Sequence, residues 1–205
     1  MSQYIGYLYS IPAVLIAIIL HEYAHGFVSW KLGDPTPEVD GRLSLNPLNH
    51  LDPIGTLCLL VFHMGWAKPV QINPNYYKNP KLGTVLVSLA GPVTNFIIAF
   101  ISMFGLVKVV YSGIIDGPIY YILMYLVVIN IGLGIFNLIP IPPLDGSKVL
   151  SAVLPERLYF GYMKYERYFM LLLLAMVYFG ILSTPIDWLN DKVFGAMFRV
   201  VDFIL

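Results

Sequence analysis

The chain has 205 residues, 58% of them hydrophobic and 12% charged, with a mean hydropathy of +0.75, whereas a soluble domain carries about 25% charged residues. Lys and Arg balance Asp and Glu at 12 each without a basic run, which excludes a nucleic-acid partner and a polybasic membrane-surface role. This is the composition of an integral membrane protein, with a lipid bilayer around it and apolar partners. Its single cysteine, Cys58, reads as a small buried apolar residue without an internal disulfide.

The first predicted span covers about Tyr7 to Trp30. Met1 to Leu20 contains no Lys or Arg and runs straight into His21-Glu22, so the segment lacks the marks of a cleaved signal peptide and is expected to be retained. Glu22 is the first charged residue of the chain, and it lies in His21-Glu22-Tyr23-Ala24-His25. Helical spacing puts residues i and i+4 on one face roughly 6 Å apart, so the two imidazoles can share one metal ion while Glu22 acts on a water beside it. The competing reading gives the three residues interhelical hydrogen bonds in a polar bundle. Ionisable groups at membrane depth are costly and functional by default, which favours the metal.

Leu51 to Gly65 is apolar but short and begins with Asp52-Pro53. It reads as a partly inserted element leading into strands or a re-entrant hairpin over about residues 51–77, tolerable at depth only if protein covers its backbone. A hairpin edge within Trp66 to Tyr77 would offer unpaired backbone to an extended substrate, the alternative being plain packing. Asp34-Pro35-Thr36-Pro37, Asn46-Pro47, Asn73-Pro74 and Asn79-Pro80 mark turns. Gly83 to Val107, Gly117 to Leu144 (its helix ending near Ile141) and Tyr168 to Ile186 are uncharged or nearly so, and long enough to approach or exceed a hydrocarbon core of about 30 Å. Asp187 to Leu205 mixes charge with apolar residues at helical spacing, as an interfacial amphipathic helix does. The whole chain, 1–205, reads as one membrane domain.

If the chain starts outside and Leu51 to Gly65 dips in and returns, nine of the 12 Lys and Arg fall inside. Lys108, Lys192 and Arg199 stay outside, so the positive-inside rule puts the loops flanking the His motif in the cytoplasm.

Catalytic zinc takes three protein ligands and keeps a fourth position open, so the two histidines need a partner. Asp145 is the best candidate, because it ends the longest uncharged stretch. Pro140, Pro142 and Pro143 break the helix before it and Gly146 frees the backbone after it. A plain N-cap role for Asp145 stays open, as do ligand roles for His50 and His63. A structural hydrogen bond suits His50 better, and an interfacial position suits His63.

His21-Glu22-x-x-His25, Gly91-Pro92-Val93-Thr94-Asn95 and Asn137-x-x-Pro140-x-x-x-x-Asp145-Gly146 together resemble the site-2 proteases, intramembrane zinc metalloproteases that cut transmembrane segments of other proteins. The likeness covers about Tyr7 to Leu150. It implies one Zn2+ per chain on His21, His25 and Asp145, Glu22 as general base, and a catalytic core built from the first, Gly83 and Gly117 spans. No PDZ or CBS domain is evident, so the likeness is to a minimal member. The fold expected is therefore an all-α polytopic membrane protein, a helical bundle with a three-helix catalytic core plus a small β-hairpin or re-entrant element. The substrate expected is a transmembrane protein, the setting a prokaryotic cytoplasmic membrane with the site opening to the cytoplasm. Asn95 or Asn137 would donate to the developing oxyanion, typically worth about 3 kcal/mol. Helix packing by Gly91 with a bridging Asn95, and helix capping by Asn137, are the plainer alternatives. A metal or ion transporter using the same cluster as a transit site is the rival reading.

Overall fold

Three long helices make the frame. In the computed structural model, which describes residues 3–55, 57 and 67–205, helix α1 spans Gln3–Lys31. Two short helices follow, α2 (Thr36–Val39) and α3 (Pro47–His50). Helix α4 spans Pro80–Tyr111 and α5 spans Pro118–Asn137. Leu8–Lys31, α4 and α5 are each long and apolar enough to cross a membrane. The start of α4 is written in Asn79-Pro80: the Asn79 side chain accepts from the Leu82 N–H, and proline fills the first helical position, where its missing N–H costs nothing.

The three helices pack against one another. Where α4 meets α5 the filling is apolar: Ala99, Met103, Leu106 and Val107 interlock with Val127, Ile131 and Ile135. On α1, Ala13 and Ala17 are fully buried, small enough to let the neighbouring helices approach. Outward-facing Ile97, Ile101 and Val128 stay exposed, as lipid-facing positions should. Beyond α5 come α6 (Asp145–Val149), a 3-10 turn at Leu150–Ala152, α7 (Glu156–Met163), α8 (Glu166–Tyr178) and α9 (Ser183–Ile204).

Three expectations change. The fourth span expected over Tyr168 to Ile186 is not one straight helix: α8 stops at Tyr178, Gly180 takes a left-handed φ of 69°, and α9 leaves at 79° to α8. A left-handed glycine just past the last turn is a helix stop that a hydropathy window does not register. The interfacial tail is also more deeply built in. Val193, Phe194 and Met197 of α9 pack on the α4/α5 core, Val201 is fully buried, and Tyr111 donates a hydrogen bond to Asp202.

The β-hairpin is not found. Among the described residues no strand forms, and the one isolated pairing is an antiparallel bridge between Leu51 and Ala67. Most of the segment from Leu51 to Gly65, with His63 and Cys58, lies outside the described residues. Over 67–73 the chain runs as a strap whose backbone groups are taken by distant partners. Lys68 N–H donates to the His50 carbonyl at 2.8 Å, Val70 N–H to Glu22 Oε2 at 3.2 Å, and Asn73 N–H to Asp34 Oδ2 at 2.7 Å. Pro69 and Pro74 bring no donor for a ladder, and the buried Arg42 guanidinium binds the Pro69 carbonyl at 3.3 Å. Side chains from α1 and the loops thus do what a partner strand would have done.

The strap is anchored where α1 ends. Ser29 donates to Asp34 and meets the Tyr77 hydroxyl at 2.7 Å, while the Thr36 N–H donates to Asp34 at 3.0 Å. The Ser29–Tyr77 contact holds the end of α1 against the segment leading into α4, so both lie on one side of the bundle with the end of α5.

Candidate metal centre

His21 and His25 share one face of α1, as i and i+4 must. Their Nε2 atoms lie 3.0 Å apart, and each is 3.1 Å from Oδ2 of Asp145. All three residues are buried, at 5%, 8% and 7% exposure. Among the described residues this is the group of His, Cys, Asp or Glu whose ligand atoms come close enough to share a metal ion.

The protons decide what such a triangle is for. His25 Nδ1 is 2.7 Å from the Val87 carbonyl, which can only accept, so Nδ1 carries the proton. His21 Nδ1 is 2.6 Å from Asn95 Oδ1, and the amide nitrogen of Asn95 is spent on the Ala17 carbonyl and on Asn130 Oδ1. The oxygen of Asn95 therefore faces His21, and Nδ1 is again the donor. With Nδ1 of each ring turned to its own acceptor, the Nε2 atoms of both imidazoles face the carboxylate. Three ligand atoms packed this closely are the donor set that a divalent cation takes. Their separations approach the roughly 3.3 Å edge of a tetrahedron whose ligands lie about 2.0–2.1 Å from zinc.

Gly91 fits the same reading. A Cβ there would lie 2.5 Å from His25 Nε2 and 2.6 Å from His21 Nε2, so α4 can back onto this centre only with glycine at that position. The nearest neighbours of Gly91 are thus the two imidazoles and not the backbone of a packed helix.

Asp145 reaches the histidines because the chain breaks after α5. It is the first residue of α6, Leu144 holds the N-cap position, and the carboxylate serves the two imidazoles instead of capping its own helix. Gly146 matters through contact, since a Cβ there would sit 2.2 Å from the Leu138 carbonyl oxygen. The other carboxylate oxygen of Asp145 faces Lys148 Nζ at 3.7 Å.

A cavity of about 460 Å³ opens on this centre. Glu22, Val70, Ser88, Asn137 and Lys148 line it beside the three buried residues. Glu22 is half-buried and outside the triangle, held by its bond from Val70. Asn137 lies on the cavity wall with Nδ2 donating to the Leu133 carbonyl at 3.0 Å. Asn95 is fully buried and does not line the cavity. His50 is fully buried and bonds the Ser44 carbonyl at 2.6 Å, away from the cluster. Lys148 and Asn130 were not singled out by sequence. A lysine at i+3 from an aspartate resembles a solvated pair, and the available signal for Asn130 was an amide within an apolar run, seven residues before Asn137.

The sequence matches the family described as Peptidase family M50 over residues 9–182. The chain belongs to peptidase family M50. Its relatives include "Putative zinc metalloprotease YwhC" of Bacillus subtilis (strain 168), 40% identical over 152 residues that make up 72% of this chain and 69% of that one. Another is "Zinc metalloprotease MJ0392" of Methanocaldococcus jannaschii, 31% identical over 84% of this chain and 43% of that protein. The M50 chain thus spans about two thirds of the first relative's length and less than half of the second's. No solved structure gives a significant match.

Proposed function

We propose that this M50 chain is a zinc-dependent endopeptidase that hydrolyses peptide bonds in or near transmembrane segments of other membrane proteins, with one zinc on His21, His25 and Asp145. The observation that carries the reading is the triangle of Nε2, Nε2 and Oδ2 atoms opening on a cavity that also holds Glu22. Zinc, when bound, lowers the pKa of water toward about 7 and polarises a scissile carbonyl.

The chain's own residues supply the rest. Glu22 takes the proton of the attacking water and delivers it to the amine as the C–N bond breaks. The Val70 N–H fixes that carboxylate at the cavity wall. Asn137 also lines the cavity, which supports it as the amide that meets the developing oxyanion. Asn95 has both arms of its amide engaged, which supports a role in holding His21 and not in touching substrate.

The setting proposed is a prokaryotic cytoplasmic membrane, with the cavity opening toward the cytoplasm. Lys31, Arg42, Lys68, Lys78 and Lys81 flank the cavity end of α1 and α4, against Lys108 at the far end of α4, which supports that orientation. An ion-transit site suits the arrangement less well, because Glu22 stands outside the ligand triangle and Lys148 adds positive charge to the path.

Glu22→Gln tests the reading. The variant is expected to keep one zinc per chain and to lose cleavage, so fragments of its membrane-protein substrates appear only in cells with the unaltered chain. Retained cleavage, or loss of zinc, would overturn it.

A further inference from the structure

We infer that Asn130, on α5, is a positioning residue for the metal centre: through Asn95 it sets the direction in which the His21 imidazole is hydrogen-bonded, so that Nε2 and not Nδ1 is free to bind zinc. The inference rests on the zinc reading above. It concerns a residue two side chains away from the metal, fully buried, outside every motif the sequence displays.

An asparagine can offer either its oxygen or its nitrogen to a neighbour, and the two choices have opposite consequences here. If Asn95 turned its NH2 toward His21, Nδ1 would have to accept. The imidazole proton would then sit on Nε2, closing the lone pair that faces Asp145 and His25. What prevents this is a chain of bonds that runs one way. Asn130 Nδ2 donates to the Leu126 carbonyl at 2.8 Å, leaving Asn130 Oδ1 to face Asn95. Asn95 Nδ2 donates to that oxygen at 2.8 Å and to the Ala17 carbonyl at 3.2 Å, leaving its own oxygen for His21 Nδ1 at 2.6 Å.

Both ends of the polarity are fixed by main-chain carbonyls, Leu126 on α5 and Ala17 on α1, which cannot act as donors. Reversing either amide would bring oxygen against oxygen at two fully buried side chains. The bonds also tie α5 to α4 and α4 to α1 at the depth of the metal centre. Supporting partners of metal-bound histidines typically change affinity by roughly 10- to 100-fold when removed. Asn130 acts one bond further out, with the Ala17 carbonyl still holding Asn95, so a loss toward the lower end, about tenfold, is expected.

The test uses the full chain in detergent, with zinc affinity measured by chelator competition. Asn130→Leu should bind zinc about tenfold more weakly than the unaltered chain, while Asn130→Ser, which keeps an oxygen in that position, should fall between the two. A second measurement needs no variant: 15N NMR of the metal-free chain should show the neutral form of the His21 imidazole with its proton on Nδ1. Unchanged zinc affinity in Asn130→Leu, or a His21 proton on Nε2 in the unaltered chain, would overturn the inference. Failure of the unaltered chain to bind zinc would instead overturn the reading beneath it.

Discussion

The interface between α4 and α5 has two halves built on opposite rules. Away from the cavity, Ala99, Met103, Leu106 and Val107 pack with Val127 in a mainly apolar cluster, and Ser102 is the buried polar side chain of that stretch of α4. Toward the cavity the same two helices present Gly91, Asn95 and Asn130, and α1 adds His21 and His25. In the apolar half the requirement is volume, so substitutions there should cost stability in proportion to the space they vacate. In the polar half the requirement is direction: each proton has one place to go, and a single carbon atom at Gly91 would occupy the room both imidazoles need. Stability and chemistry therefore sit in separable parts of one helix pair.

Asp145→Asn should separate the halves most sharply, since it removes the one anionic group of the proposed ligand set. Zinc is expected to fall from one per chain to none after chelator dialysis, measured by elemental analysis, with the helix content by circular dichroism unchanged. Gly91→Ala comes next. With its Cβ within 2.6 Å of both Nε2 atoms, it should weaken zinc at least as much as loss of a supporting hydrogen bond, roughly 10- to 100-fold. Gly161→Ala, where nothing lies within 4 Å, should leave zinc affinity unchanged.

Met103→Ala, in the apolar half, should lower stability by about 2–4 kcal/mol while zinc affinity holds. Equilibrium unfolding in mixed detergent reads the first quantity and chelator competition the second. A parallel fall in zinc affinity would mean the halves are coupled.

The smallest effect expected is at the strap. Burial alone would raise the Asp34 carboxyl, but hydrogen bonds from Thr36, Asn73 and Ser29 outweigh it and hold its pKa below the usual carboxylate value. A group depressed on folding contributes stability that is complete above its unfolded pKa and is lost as pH falls through the folded one. The melting temperature should thus drop as pH falls below the ordinary carboxylate range, and Asp34→Asn should flatten that part of the curve at a cost near neutrality of about 1–2 kcal/mol. An unchanged acid limb would remove Asp34 from the account.

Much of the centre was legible because it is written in helix periodicity. His21 and His25 stand four apart, and Gly91 and Asn95 repeat that spacing on the facing helix. Asp145 was legible as the first charge after a proline break. What was hidden depends on partners far apart in sequence. The strap over 67–73 reads as part of a hairpin, yet its bonds go to Glu22, Asp34, Arg42 and His50. Asn130 gave little sign of its importance, since its partner Asn95, and His21 beyond it, lie on other helices. The bend at Gly180 was missed because hydropathy averages over composition, whereas one left-handed residue redirects the helix.

The most direct test of the account is the ligand shell of zinc in the purified, unaltered chain, read by X-ray absorption at the zinc edge. Two imidazole nitrogens and oxygen ligands at about 2.0–2.2 Å are expected, at one zinc per chain. A shell with one imidazole or none, or a chain that retains no zinc, would contradict it.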